Sequence, residues 1–307
     1  MKNSVFSISE RGKKTPEKHP KTLKKGERNM SYRGEIITSS QNKYVSLTRA
    51  LSDRKQRQKS SLYRFDGVKL MCEAIVKGVG IDFLMLKESA YDAVISRAYE
   101  LYSVNIESGN FRVVVASDGV FDKISEENAP EGVITVARYD AERHRALSGS
   151  DVAAEDGENI LLLESVRDPG NVGAILRTAA AFAVDRVIIG KDCADIYNSK
   201  TLRASMGSVF SMKIDRVDSI PDAVSSLQAS GRRVFAAALD ERAVRLGETE
   251  FQSGDCVVIG NEGHGLTDET LKACDATVYI PMSGKVESLN AAVAASVLMW
   301  EFFGKQK

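Results

Sequence analysis

The chain has 307 residues, 43% hydrophobic and 27% charged, and its 42 basic and 42 acidic side chains cancel. These are the proportions of an ordinary soluble globular protein of about two domains. No apolar run reaches the roughly 20 residues of a membrane span, and no apolar stretch follows the basic N-terminus, so neither a transmembrane helix nor a secretory signal is read. The four cysteines, Cys72, Cys193, Cys256 and Cys274, form no CxxC pair, and the only histidines are His19, His144 and His264. That argues against a disulfide framework, a structural zinc and a multi-histidine centre, and fits a metal-free protein of the reducing cytoplasm.

The neutral total conceals an asymmetry. Residues 1–150 hold 26 Lys+Arg against 19 Asp+Glu, leaving +7, and residues 151–307 hold 16 against 23, leaving −7. A basic front half suggests a polyanion-binding segment joined to a different sort of domain; a solvated charged surface is the plainer alternative. Residues 1–30, with KK, KHPK and KKGER, read as a disordered basic arm, either a solubilising tail or an RNA contact. From Ile36 to about Tyr139 an α/β domain is expected. Its helices fall near Asn42–Leu51, Gly67–Lys77 and Tyr91–Leu101, with the basic run DRKQRQK between the first two. Its strands are IDFLML, FRVVVAS and GVITVAR. The polar, small-residue stretch ERHRALSGSDVAAEDGEN reads as a linker. Beyond it, the strand runs NILLLE, DRVIIG, RRVFAAAL, DCVVIG and ATVYIP alternate with helices near 171–183, 199–209, 221–230, 267–274 and 288–303. Alternation of this kind predicts a mostly parallel sheet covered on both faces.

Three segments of the back half sit where a strand runs into a loop. In ESVRDPGNVGAILRTAAAF, Asp168-Pro169-Gly170 is a turn signal and Asn171 an expected N-cap. Val172, Ile175, Leu176, Ala179, Ala180 and Ala183 make one apolar stripe, with Arg177 off it. Helical side chains lean toward the N-terminus, so the Arg177 guanidinium is placed toward the loop; a capped core helix with a surface arginine is the plainer reading. In VVIGNEGHGL, the glycines 260, 263 and 265 permit sharp bends and close ligand approach around Glu262. The spacing is not GxGxxG, which disfavours the common dinucleotide mode. In YIPMSGKVESLNAAVAASVLMW, Ser288 is expected to cap a last helix striped by Leu289, Ala292, Val293, Ser296, Val297 and Trp300. That helix is apolar on nearly all sides, hence packed in the core or against a second subunit. Ser288 and Asn290 then point to the loop ends where open α/β sheets bind ligands, although simple capping explains both residues equally well.

Together and in this order, DPGNVGAILRTAAAF, GNEGHGL and IPMSGKVESLNAAVA resemble the three signature motifs of the SpoU/TrmH family of RNA methyltransferases, over about 155–305. The front half, through ITSSQNKYVSLTRAL and DRKQRQKSSLYRFDGVKLMCEAI, more loosely resembles the ribosomal-protein-like α/β domain that binds RNA in many members. The resemblance implies a trefoil-knotted α/β methyltransferase domain with a parallel sheet over 159–307, S-adenosylmethionine as methyl donor and a homodimer formed through that domain. It is preceded by the arm at 1–33, a substrate-binding domain at 34–141 and a linker at 142–158. Carried over residue by residue, catalysis and ribose positioning fall on Asn171, Arg177, Glu262, Ser288 and Asn290. Cofactor contacts fall on Gly260, Ile280 and Leu289, with Leu239 at the preceding strand end.

The resemblance makes the reaction a methyl transfer to a ribose 2′-hydroxyl of structured RNA, ribosomal RNA ahead of transfer RNA. Family accounts make the motif-one arginine the proton acceptor. Arginine is a very weak acid and a poor proton acceptor, which favours a second role for Arg177, binding the target phosphate and stabilising the oxyanion. Lys43, Arg49, Arg54, Lys55, Arg57 and Lys59 are the expected phosphate contacts, with Arg203 also facing RNA; a solvated helix face is the rival reading. The alternatives are the same fold acting at another RNA position and a non-catalytic RNA-binding assembly factor.

Overall fold

The computed structural model describes residues 32–304 apart from 241, 242, 262, 285 and 287. Of the arm expected over 1–33, only Tyr32 and Arg33 fall among them. The first domain comprises β1 (Ile36–Ile37), α1 (Lys43–Ala50), α2 (Arg54–Ser60), β2 (Leu62–Asp66), α3 (Val68–Val76), β3 (Ile81–Lys87), α4 (Tyr91–Tyr102), β4 (Arg112–Ala116), α5 (Asp118–Phe121) and β5 (Val133–Arg138). Its sheet runs β1-β4-β3-β5-β2. The first three strands are parallel, and β5 is antiparallel to both neighbours. Period-two alternation along β3 builds two cores. Phe83 and Met85 pack with Val45 of α1 and Phe121 of α5, while Leu84 and Leu86 pack with Met71 of α3 and Val94 of α4.

The three expected helices and three expected strands are present. The basic run, however, is itself a helix, α2, capped by Asp53, and LYRFD is a strand despite two charges. Arg64 and Asp66 are both buried in β2, paired with each other at 2.7 Å, and Arg64 also donates to the Ile124 carbonyl at 2.7 Å. Paired and hydrogen-bonded charges tolerate burial that lone ones do not.

The second domain comprises β6 (His144–Leu147), β7 (Ile160–Leu163), α6 (Pro169–Ala181), β8 (Arg186–Gly190), α7 (Ser199–Ser205), β9 (Lys213–Val217), α8 (Ile220–Ala229), β10 (Val234–Ala237), β11 (Val244–Arg245), β12 (Cys256–Ile259), α9 (Asp268–Ala273), β13 (Ala276–Tyr279) and α10 (Ala291–Met299), the last running into a π-turn at Trp300–Gly304. The sheet order is β11-β13-β10-β12-β7-β8-β9-β6, and every pairing is parallel. Leu161 and Leu163 face one core with Ile175 of α6, Leu202 of α7 and Leu298 of α10. Ile160 and Leu162 face the other, with Val224 and Leu227 of α8. Apolar residues on both sides of each strand are what a parallel sheet sandwiched by helices requires.

The segment expected as a linker departs from that expectation, because His144–Leu147 is the edge strand β6 hydrogen-bonded to β9. Strand β9 was hidden by its charges: Asp215 is fully buried, held by Arg145 and Arg186. The two domains share a core. Tyr63 and Phe65 of β2 contact Tyr197 and Phe210, and Tyr139 stacks on Tyr197 with ring centroids 4.0 Å apart. Glu126 accepts hydrogen bonds from Ser52 at 2.6 Å and from Ser199 across the junction. Arg57 is 4% exposed and donates to Asp195 at 2.8 Å and to the Leu51 and Ser52 carbonyls. Its expected place among the RNA contacts is therefore wrong: its charge is spent within the protein. Among the described residues no helix is long and apolar enough to cross a membrane.

Candidate active site

Strand β7 delivers the first motif. Asp168, rather than Asn171, caps α6: its carboxylate accepts from the Asn171 N–H at 2.9 Å, and Pro169 occupies the first helical turn, where its missing N–H costs nothing. Lys200, donating at 2.8 Å, and the Asn171 amide hold the Asp168 carboxyl below its usual range. Val172, Ile175, Leu176 and Ala179 are buried as expected, but Ala180 is exposed and Ala183 lies beyond the helix, so the stripe ends at Ala179. Gly173 lets α6 lie against α7, because a Cβ there would stand 2.5 Å from the Thr201 carbonyl oxygen. Arg177 is exposed, and its guanidinium makes no ion pair or hydrogen bond among the described residues.

The second motif is a closed loop at the end of β12. Asn261 and Gly265 exchange backbone hydrogen bonds, and a Cβ on Gly260 would meet the Gly265 carbonyl at 2.5 Å, so glycine is required there. The Asn261 side chain donates to the Ser165 carbonyl at 3.0 Å and accepts from the Gly263 N–H at 2.8 Å. The buried Glu164 carboxylate accepts from the Thr267 N–H and from the Thr267 and Thr270 hydroxyls. Both contacts fasten this loop to the start of the first motif. Neither Asn261 nor Glu164 was singled out from sequence; the TxxT that begins α9 was the available signal. Glu262 lies outside the described residues.

In the third motif the cap is Asn290, whose Oδ1 accepts from the Ala292 and Val293 N–H groups at 2.9 and 3.3 Å, and not Ser288. The Asn290 Nδ2 donates to the Asn171 Oδ1 at 3.0 Å, joining the first and third motifs. Helix α10 buries Ala291, Ala295, Leu298 and Met299. The expected stripe is turned the other way, with Val293, Val297 and Trp300 exposed by 49%, 37% and 51%.

Between these loops, over the ends of β10, β12 and β13, lies a cavity of about 250 Å³. Leu239, Gly260, Ile280, Ser288 and Leu289 all line it. Leu239 is 79% exposed, an apolar side chain held at the rim. No charged side chain lines the cavity among the described residues, so orientation of a ligand falls to backbone groups and to the polar side chains of Asn261, Tyr279 and Ser288. An apolar slot with polar backbone edges suits a nucleoside-bearing cofactor. No group of three or more His, Cys, Asp or Glu side chains is placed to hold a metal ion among the described residues. Lys43, Arg49, Arg54, Lys55 and Lys59 are exposed on α1 and α2. Arg203 is half-buried, with one guanidinium nitrogen closed off and without a hydrogen bond.

Residues 158–300 match the SpoU rRNA Methylase family, and residues 42–135 match the MRM3-like substrate binding domain. The 23S rRNA (guanosine(2553)-2′-O)-methyltransferase RlmP of Bacillus subtilis is 29% identical, covering 87% of this chain and 99% of its own. The 23S rRNA (guanosine-2′-O-)-methyltransferase RlmB of Xanthomonas campestris is 33% identical over 61% of this chain and 73% of its own. Among solved structures, the SpoU methyltransferase AviRb of Streptomyces viridochromogenes in complex with AdoMet superposes with a TM-score of 0.72 at 26% identity, covering 86% of this chain and 98% of that one. With the second and third motifs lining one cavity, the first hydrogen-bonded to both, and relatives matched over most of their length, the chain belongs to the SpoU rRNA methylase family.

Proposed function

We propose that the protein methylates a ribose 2′-hydroxyl of structured RNA, ribosomal RNA being the substrate, with S-adenosylmethionine as donor. The observation that carries this reading is the Asn171–Asn290 hydrogen bond beside the apolar cavity, which draws residues from distant motifs into one polar edge. When bound, S-adenosylmethionine supplies a sulfonium methyl: the ribose oxygen forms the new C–O bond as the C–S bond breaks, and the hydroxyl proton passes to water or a phosphate oxygen. Leu239, Ile280 and Leu289 shield the donor site from water, and the backbone at Gly260 approaches the ligand closely. Asn171, Ser288 and Asn290 hydrogen-bond the ribose and orient it. Arg177 carries a guanidinium, a donor with no acceptor, so it binds the target phosphate and stabilises the developing oxyanion. For Glu262, outside the described residues, the family resemblance alone supports a role in orienting a partner.

The first domain, 34–141, serves substrate binding, and the domain that begins with β6 serves methyl transfer, knotted as in the family. The exposed stripe of Val293, Val297 and Trp300 supports a homodimer through α10, and the cytoplasm is the expected compartment. The test is methyl transfer from labelled S-adenosylmethionine to ribosomal and transfer RNA transcripts, with the product mapped by resistance to alkaline cleavage. Labelled 2′-O-methylribose in ribosomal RNA is expected. Label on a base would refute the ribose assignment, and cofactor binding without any transfer would make the protein a binding factor.

A further inference from the structure

A second cavity, of about 210 Å³, lies between the two domains, away from the apolar slot. Arg54 and Gln58 of the first domain form one wall, and Arg145 and Arg216 of the second form the other; Tyr139 and Tyr197 also line it. Two of the carboxylates nearby are already engaged, and a third, Asp192, is exposed to solvent. Asp195 is held by Arg57 at 2.8 Å, and Asp215 holds Arg145 at 2.7 Å. Arg54 makes no ion pair or hydrogen bond among the described residues, and Arg216 donates only to the Lys191 carbonyl. Burial first, and the facing charge of Arg54 second, hold the Arg216 guanidinium below its ordinary range, despite opposing help from Asp195 and Asp192. Two like charges in one partly desolvated cleft repel each other unless an anion lies between them.

We propose that Arg54 and Arg216 jointly bind one phosphate of the RNA backbone in this interdomain groove. Guanidinium groups match phosphate oxygens in forked geometry, and a groove tracking the backbone positions RNA without reading sequence. The segment that lines the groove at Asp195 and Ile196 continues into α7, where Lys200 holds Asp168, the cap of α6. A strand anchored here is thereby placed against the same element that carries Arg177. This assignment rests on RNA being the substrate. It extends the substrate surface from the first domain onto the second.

The test measures RNA affinity as a function of salt for the full chain and for Arg216→Gln, Arg54→Gln and the double variant. Each single variant should bind about tenfold more weakly and lower the log–log salt slope by about 1. The double variant should lose no further unit of slope, because both side chains serve one phosphate. Arg216→Lys should recover the slope, and S-adenosylmethionine affinity should be unchanged in all four. A fall in slope of about 2 in the double variant would mean separate phosphates and overturn the shared site. Wild-type affinity and slope in Arg216→Gln would overturn the groove altogether, while a wild-type chain that neither binds nor methylates RNA would instead sink the functional reading. Protection of the wild type against heating by inorganic phosphate at millimolar concentration, lost in Arg216→Gln, would support the site. The same protection in both proteins would count against it.

Discussion

Asn290 donates to Asn171 at 3.0 Å while its own carbonyl oxygen caps α10, so one side chain starts a helix and ties it to the first turn of another. The two duties can be separated. Asn290→Ser keeps a capping hydroxyl but cannot span to Asn171, whereas Asn290→Ala loses both. The alanine variant should lose about 1 kcal/mol of stability and the serine variant only a few tenths. Both should lose methyl transfer by about tenfold or more. Urea unfolding and single-turnover transfer read the two effects, and a serine variant with full activity would reduce Asn290 to a cap.

Arg177 is exposed and its guanidinium makes no hydrogen bond or ion pair among the described residues, so no polar interaction of the fold depends on it. Arg177→Ala should keep stability within about 0.5 kcal/mol, yet lose transfer by roughly 100- to 1000-fold, as when an oxyanion donor is removed. Arg177→Lys should recover part of the rate with an unshifted pH profile. Full transfer by the alanine variant would remove Arg177 from the mechanism.

Arg57 and Asp195 form a buried pair, and removing one member strands the other. Asp195→Ala should cost about 3 kcal/mol in denaturant unfolding. Lys59→Gln, on the exposed side of the same helix, should leave stability unchanged and weaken RNA binding only in low salt. Equal stability of the two variants would contradict the division between them.

His144 sits at the domain junction with Nδ1 2.6 Å from the Tyr197 hydroxyl and Nε2 3.0 Å from the Val209 carbonyl. The carbonyl fixes the proton on Nε2, so Tyr197 donates to Nδ1. Burial, opposed by the Val209 hydrogen bond and Asp140, pulls the imidazole below its ordinary value. The folded state therefore binds fewer protons than the unfolded one. The neutral ring's contribution is present above the unfolded pKa of about 6.5 and is lost as pH falls through the lower folded value. His144→Gln should flatten the loss of stability between pH 7 and 5 relative to the wild type. Parallel pH profiles would refute the assignment.

The cleft was legible because its elements obey simple periods: apolar runs for β7, β12 and β13, and a 3.6-residue stripe for α6. Missed elements share one cause, namely charge satisfied by partners remote in sequence. Arg64 in β2 meets the Ile124 carbonyl, Asp215 in β9 meets Arg145 and Arg186, and Arg57 in a seemingly solvated run meets Asp195. No local pattern announces such pairs. The capping errors are different. Asp168-Pro169-Gly170 has turn chemistry, but a proline in the first helical position suits a helix start equally well, which moves the cap from Asn171 to Asp168. At α10, Ser288 and Asn290 are both good capping types, and it is Asn290, tied also to Asn171, that accepts from the first N–H groups of the helix.

The sequence separation of 119 between Asn171 and Asn290 also sets a schedule. During synthesis, at about 5–20 residues per second, the strand bearing the first motif is made many seconds before the helix that completes its polar edge. Until α10 docks on α6, the core that Leu298 and Met299 fill stays open to water. A nascent chain thus cannot gain competence piecemeal: the edge that would grip a ribose forms in the same event that seals the hydrophobic layer beneath it.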